Sequence, residues 1–86
     1  MPGVSRRGSD AAGGTIVGGS GNVFANGSGV ARSGDPVAGH GRGPHAGPVM
    51  ASASGNVFAN GIGVCRAGDI ATCGHNSSGS GNVFAN

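Results

Sequence analysis

The chain has no Trp and no Tyr, only three Phe, and just 9% charged residues in a length of 86. A domain this short buries too little surface to be comfortably stable on apolar packing, and without large aromatics it has less still to bury. Its 21 Gly deepen the deficit, because each loses more backbone freedom on ordering than any other residue. No apolar run approaches the roughly 18 residues of a spanning helix, and the N-terminal segment lacks the charged-then-apolar order of a signal peptide. Those absences predict a soluble protein made in the cytoplasm. The formal net charge of +2 is small and dispersed, with only Arg6 and Arg7 adjacent, which argues against a nucleic-acid surface. Two Cys do not make a disulfide scaffold, and in a reducing compartment a Cys beside His is more often a metal ligand. No window carries a helical apolar period, and each Gly would cost a helix about 1 kcal/mol relative to Ala. On composition alone such a chain reads as a flexible linker.

What is present argues otherwise. The heptapeptide Ser-Gly-Asn-Val-Phe-Ala-Asn occurs at 20–26, 54–60 and 80–86. The first two copies run on through Gly-Ser-Gly-Val-Ala-Arg-Ser-Gly-Asp (27–35) and Gly-Ile-Gly-Val-Cys-Arg-Ala-Gly-Asp (61–69). The third stops at Asn86, and its continuation is found at the other end of the chain, in Met1-Pro2-Gly3-Val4-Ser5-Arg6-Arg7-Gly8. The sequence is therefore a ring of three units cut once, and Met1 and Asn86 are expected to meet within one hairpin of a pseudo-three-fold object. Each unit reads as a β-hairpin: Asn-Val-Phe-Ala, an Asn-led turn, then Val-x-Arg ending at Gly-Asp. On the first strand Val23 and Ala25 face one way and Phe24 the other. Phe24, Phe58 and Phe84 are expected to form the core, with the order of the Phe and Val sets about the axis left open. The prediction is one all-β domain over 1–86 that needs a staple.

The connectors between units, 11–19, 36–53 and 70–79, carry the differences and so are expected to carry the chemistry. The first holds no titratable group. The second holds His40 and His45, the third Cys73 and His75, and together these four suit a closed tetrahedral Zn²⁺ site. The two pairs sit at corresponding points after Asp35 and Asp69, with one residue inserted. A structural zinc contributes on the order of 10 kcal/mol to folding in small metallo-domains, which would supply the staple; four protein ligands leave no position for a hydrolytic water. Cys65 occupies a slot filled by Ala31 and Ser5 in the other units, which marks a buried small residue. A Cys65–Cys73 disulfide is the competing reading.

Other patterns carry less. Gly41-Arg42-Gly43-Pro44-His45-Ala46 matches a dinucleotide-binding fingerprint by letter but lacks the flanking strand and helix. Asn26-Gly27-Ser28 and Asn76-Ser77-Ser78 match the glycosylation pattern in a chain with no export signal. Asp10, Asp35 and Asp69 are expected to cap turns, and no nucleophile, acid or base has a partner in sequence. No catalytic residue and no small-molecule substrate is expected, and the chain is not read as an enzyme.

The units at 22–36 and 56–69, with Cys73-Gly74-His75 downstream, resemble the PAAR-repeat family, whose members cap the spike of contractile injection machines. The resemblance covers essentially the whole chain. It implies a short β-cone whose base sits on a trimeric β-helical spike and whose apex holds a metal through three His and one Cys, here His40, His45, Cys73 and His75, with zinc or alternatively iron. It further implies a virion component of a myophage tail baseplate, made in the host cytoplasm, with transient contact to the target's outer membrane and no nucleic-acid partner. A type VI secretion spike tip is the neighbouring alternative. A free-standing metal-binding module or small metalloenzyme is the alternative of another class.

Overall fold

Val and Phe favour the pleated conformation, and Asn-Gly the left-handed one that two-residue hairpin loops demand. The computed structural model, which describes residues 2–85, is built from such short pieces. In chain order they are β1 (Ala11–Ala12), β2 (Gly14–Thr15), β3 (Phe24–Ala25), β4 (Ser28–Gly29), a 3₁₀ turn (Gly43–His45), β5 (Phe58–Ala59) and β6 (Ile62–Gly63). Strand β3 pairs with β4, and β5 with β6, both antiparallel and in the same register: Phe24 opposite Gly29, Phe58 opposite Gly63. Asn26 and Asn60 turn these hairpins at φ of 53° and 56°. The fold is all-β, and no helix among the described residues is long and apolar enough to cross a membrane.

The third hairpin is assembled from the two ends of the chain. Gly3 bridges Phe84, the Val4 amide donates to the Val83 carbonyl (2.8 Å), and the Ala85 amide donates to the Pro2 carbonyl (3.0 Å). Met1 and Asn86 themselves lie outside the described residues.

Three further bridges join the units to one another: Arg6 with Val30, Arg32 with Val64, and Val4 with Arg66. At their centre lies a closed circuit of main-chain hydrogen bonds. Ala31 donates to Ser5 (2.9 Å), Cys65 to Ala31 (2.8 Å), and Ser5 to Cys65 (2.9 Å). All three side chains are fully buried. Where three backbones converge on an axis only small side chains fit, which is why this position is Ser, Ala or Cys. Close approach also dictates Gly3, Gly29 and Gly63: a Cβ on each would overlap the carbonyl oxygen of Ser80, Ser20 or Ser54 respectively.

The core forms two clusters. One contains Val4, Val30 and Val64 with Ala25, Ala59 and Ala85; burying each Val stabilises by about 1.5–3 kcal/mol. The other contains Ala12, Ile16, Ala31, Val37, Met50, Cys65 and Ala71, with Cys73 packed against it. They meet where Val30 gives way to Ala31 and Val64 to Cys65. The Phe residues belong to neither, which corrects the sequence expectation: Phe24, Phe58 and Phe84 remain 57%, 57% and 49% exposed. Phe24 and Ala25 take opposite faces as expected and the inward one is that of Ala25, but Val23 and Val57, expected to share it, remain exposed. Once Val-x-Arg strands meet at the axis, Ala is the residue whose volume fits behind them.

Polar side chains stitch the seams. Ser20, Ser54 and Ser80 are buried, and each hydroxyl accepts from the amides two and three residues on, which explains the Ser that opens every repeat. Asp35 and Asp69 each accept from the backbone amide and the guanidinium of the Arg three residues before. Asp10 does the same for Arg6 from one residue further along, so the degenerate first unit keeps the interaction despite an inserted Ser9. The carboxylates cap turns as expected, and sequence reading missed that they also neutralise Arg6, Arg32 and Arg66. Burial pushes the Asp10 and Asp69 carboxyls up, but hydrogen bonds from these guanidiniums and from Ser78 and Ser52 outweigh it and hold both below the usual range. The molecule measures 32 × 23 × 22 Å, with the two near-equal short extents that a three-fold axis along the long one would give.

Candidate metal centre

The connectors leave the ring and fold over the second core cluster. The Ala38 amide donates to the Thr15 carbonyl (2.7 Å), tying the second connector to the first. The His40 amide donates to the His45 carbonyl (2.8 Å), closing a loop whose 3₁₀ turn has Pro44 near its start and His45 at its end. In the third connector the Gly74 amide donates to Ala71 (2.9 Å) and the Ala71 amide to His75 (3.0 Å), and this tight turn places Cys73 and His75 together.

The four predicted ligands converge. One donor atom from each of His40, His45, Cys73 and His75 lies within 4.8 Å of every other, and the group could hold a metal ion. His40 Nε2 lies 3.0 Å from His75 Nδ1, 3.2 Å from His45 Nδ1 and 3.7 Å from Cys73 Sγ, and Cys73 Sγ is 3.4 Å from His75 Nδ1. A tetrahedral centre with the usual zinc–ligand bond lengths has N···N edges of about 3.3 Å and N···S edges of about 3.5 Å. The two N···N edges are slightly shorter than that and the two N···S edges fall on either side. The imidazoles stand at 48–60° to one another with centroids 4.8–5.1 Å apart.

His40 shows how the donors are prepared. Its Nδ1 lies 3.0 Å from the Ala38 carbonyl, which can only accept, so the proton sits on Nδ1 and Nε2 turns a lone pair toward the cluster. Such a carbonyl partner is the usual means of fixing the tautomer of a metal-binding His. His40, His45 and Cys73 are half-buried and His75 is exposed.

The first connector, which carries no ligand, forms a wall of the site. A Cβ on Gly13 would overlap His75 Nδ1 and His40 Nε2, and one on Gly14 would overlap the Ala38 carbonyl. Gly13 has φ of 85° and turns the β1–β2 hairpin against the ligands. The only signal in sequence was the adjacent pair of glycines. Cys65 takes no part. It is a free thiol, as is Cys73, so the disulfide reading is excluded. Burial and the Asp69 and Asp35 charges push Cys65 up to about 12, so it stays protonated and inert. The Gly41–Ala46 segment supplies His45 through a 3₁₀ turn, and neither the strand nor the helix of a dinucleotide site flanks it. Neither protein-family models nor curated proteins match this chain.

Proposed function

We propose that this protein is the metal-stabilised pointed tip that caps the trimeric β-helical central spike of a contractile injection machine, a myophage tail baseplate, and helps it puncture the target cell envelope. The observation that carries the reading is the conjunction, on one chain, of a closed three-unit ring and a single four-ligand cluster. A homotrimeric spike ends in three equal edges. A monomer with internal three-fold repetition can meet all three at once, whereas one without it meets a single edge well and the others poorly. Phe24, Phe58 and Phe84, exposed at equivalent positions, provide the contact chemistry: an apolar surface repeated three times, which would cover open strand ends and block edge-to-edge association.

His40, His45, Cys73 and His75 would hold the metal, for which zinc is the best fit to three imidazoles and a thiolate, with iron the alternative. Its contribution would be a covalent-strength cross-link between the second and third connectors, added to the Met50–Ala71 bridge and the packing of Val37, Met50 and Ala71 that already join them. Gly13 and the Ala38 carbonyl would keep the ligands in place.

Mass spectrometry under native conditions tests the reading directly. Mixed with a trimeric β-helical spike end, the chain should give a complex of one tip to three spike chains carrying one metal. Failure to associate with any such trimer, together with rapid metal exchange, would favour the free-standing metal-binding module.

A further inference from the structure

Asn-Gly is the dipeptide most prone to spontaneous succinimide formation, because Gly offers no side chain to hinder attack by its own amide nitrogen. The chain places Asn26-Gly27 and Asn60-Gly61 at the exposed tips of β3–β4 and β5–β6. Both asparagines are clasped. Asn60 Oδ1 accepts from Ser20 Oγ (2.7 Å) and Arg32 (3.2 Å), and its Nδ2 donates to Asn22 Oδ1 (2.8 Å). Asn26 repeats the arrangement: Oδ1 accepts from Ser80 Oγ (2.6 Å) and Arg6 (3.1 Å), and Nδ2 donates to Asn82 (2.8 Å).

We propose that Asn26 and Asn60 are sites of irreversible deamidation that the folded ring holds in check, so that their conversion records how long a chain has spent unfolded or unclasped. In the reaction the Gly nitrogen gives up its proton and bonds to the Asn Cγ, the Cγ–N bond breaks, and ammonia leaves. Water then opens the resulting five-membered ring to aspartate or isoaspartate. No redox partner is needed, and the only co-reactant is solvent.

Two features of the fold oppose the first step. Ring closure needs the following nitrogen to swing beside Cβ, and the left-handed conformation that φ of 53° and 56° marks, whose usual ψ is about +47°, turns it to the far side. The clasp also holds Cγ toward the neighbouring unit and away from that nitrogen. The donors on Oδ1 would polarise the amide carbonyl and favour attack, so the restraint is one of position. Conversion would be costly to the fold. Deamidation of Asn60 removes the donor to Asn22 Oδ1 and sets a carboxylate oxygen against that acceptor. Isoaspartate adds a methylene to a two-residue loop, shifting the register that sets Phe58 against Gly63.

The experiment is peptide mapping by mass, with aspartate and isoaspartate resolved, on the full chain held at neutral pH. It compares the native protein, the protein in guanidinium, and the variants Asn22→Ala and Asn82→Ala. Conversion is expected to be slower by roughly tenfold or more in the native chain, in proportion to the rarity of local opening. Asn22→Ala should accelerate conversion at 60 while 26 stays slow in the same molecule, and Asn82→Ala should do the reverse. Equal rates at both sites in native and denatured protein would overturn the proposal. So would variants that speed both sites alike, since the protection would then not come from the clasp.

Discussion

The ring end and the ligand end of this molecule are built on different principles. At the ring, equivalent residues of three units make equivalent contacts: Ala31, Cys65 and Ser5 close one circuit, and Gly29, Gly63 and Gly3 make the same close approach. At the ligand end the symmetry is gone, with the second and third connectors offering two candidate ligands each and the first supplying glycine. Symmetry is easily kept where main chain binds main chain, because a repeat needs only small residues at the axis. Four donors around one ion cannot be divided equally among three units, so that end must be asymmetric.

If the four-residue cluster holds a metal as proposed, removing it should produce the largest effect. Chelation is expected to cost on the order of 10 kcal/mol and, because the ring's clusters are small, to abolish hydrogen-exchange protection at both ends. Retention of protection at the Ser5, Ala31 and Cys65 amides would show instead that the ring stands alone. Next in size is the axis. Ala31→Leu should overpack it and lower stability by about 1–3 kcal/mol in thermal or denaturant unfolding, while Cys65→Ala and Cys65→Ser, which borrow residues from the equivalent units, should change it little.

Gly13→Ala separates the two ends more finely. Both it and Gly8→Ala place a Cβ at positive φ, but only Gly13 faces the ligands. Both should lose about 1–2 kcal/mol to the left-handed backbone, and only Gly13→Ala should weaken metal affinity, by roughly tenfold or more, in a competition titration. Acid should act on the ring through Asp10 and Asp69. Their folded values lie below the ordinary 3.8, so the unfolded chain takes up protons first, and the stability they give is present above about pH 4 and lost as pH falls through the folded values. Asp69→Asn should flatten that acid limb in unfolding curves measured against pH. The smallest effect on the isolated chain is expected from Phe24→Ser, Phe58→Ser or Phe84→Ser, within about 0.5 kcal/mol each, with equal and much larger losses in binding to a three-fold partner.

Sequence reading placed the hairpins and their turns because Asn-Gly and Val-Phe carry local preferences strong enough to be read without context. It named His40, His45, Cys73 and His75 because ligand chemistry is confined to a few residue types, and in this chain all the His fall in two loops. It misplaced Phe24, Phe58 and Phe84, since alternation tells which residues share a face but not which face turns inward. It gave no role to Gly13, whose contribution is the space it leaves.

The repeat, by itself, determined that the units are alike and that Pro2-Gly3-Val4 and Val83-Phe84-Ala85 must complete one another, because a missing half-hairpin leaves main-chain groups with no other partner. The three-dimensional arrangement alone decided that Ala and not Phe fills the interior, and that a segment with no donor atoms closes the ligand cluster. Both are matters of volume at points where three strands or three loops converge, and volume at a convergence depends on all the partners at once.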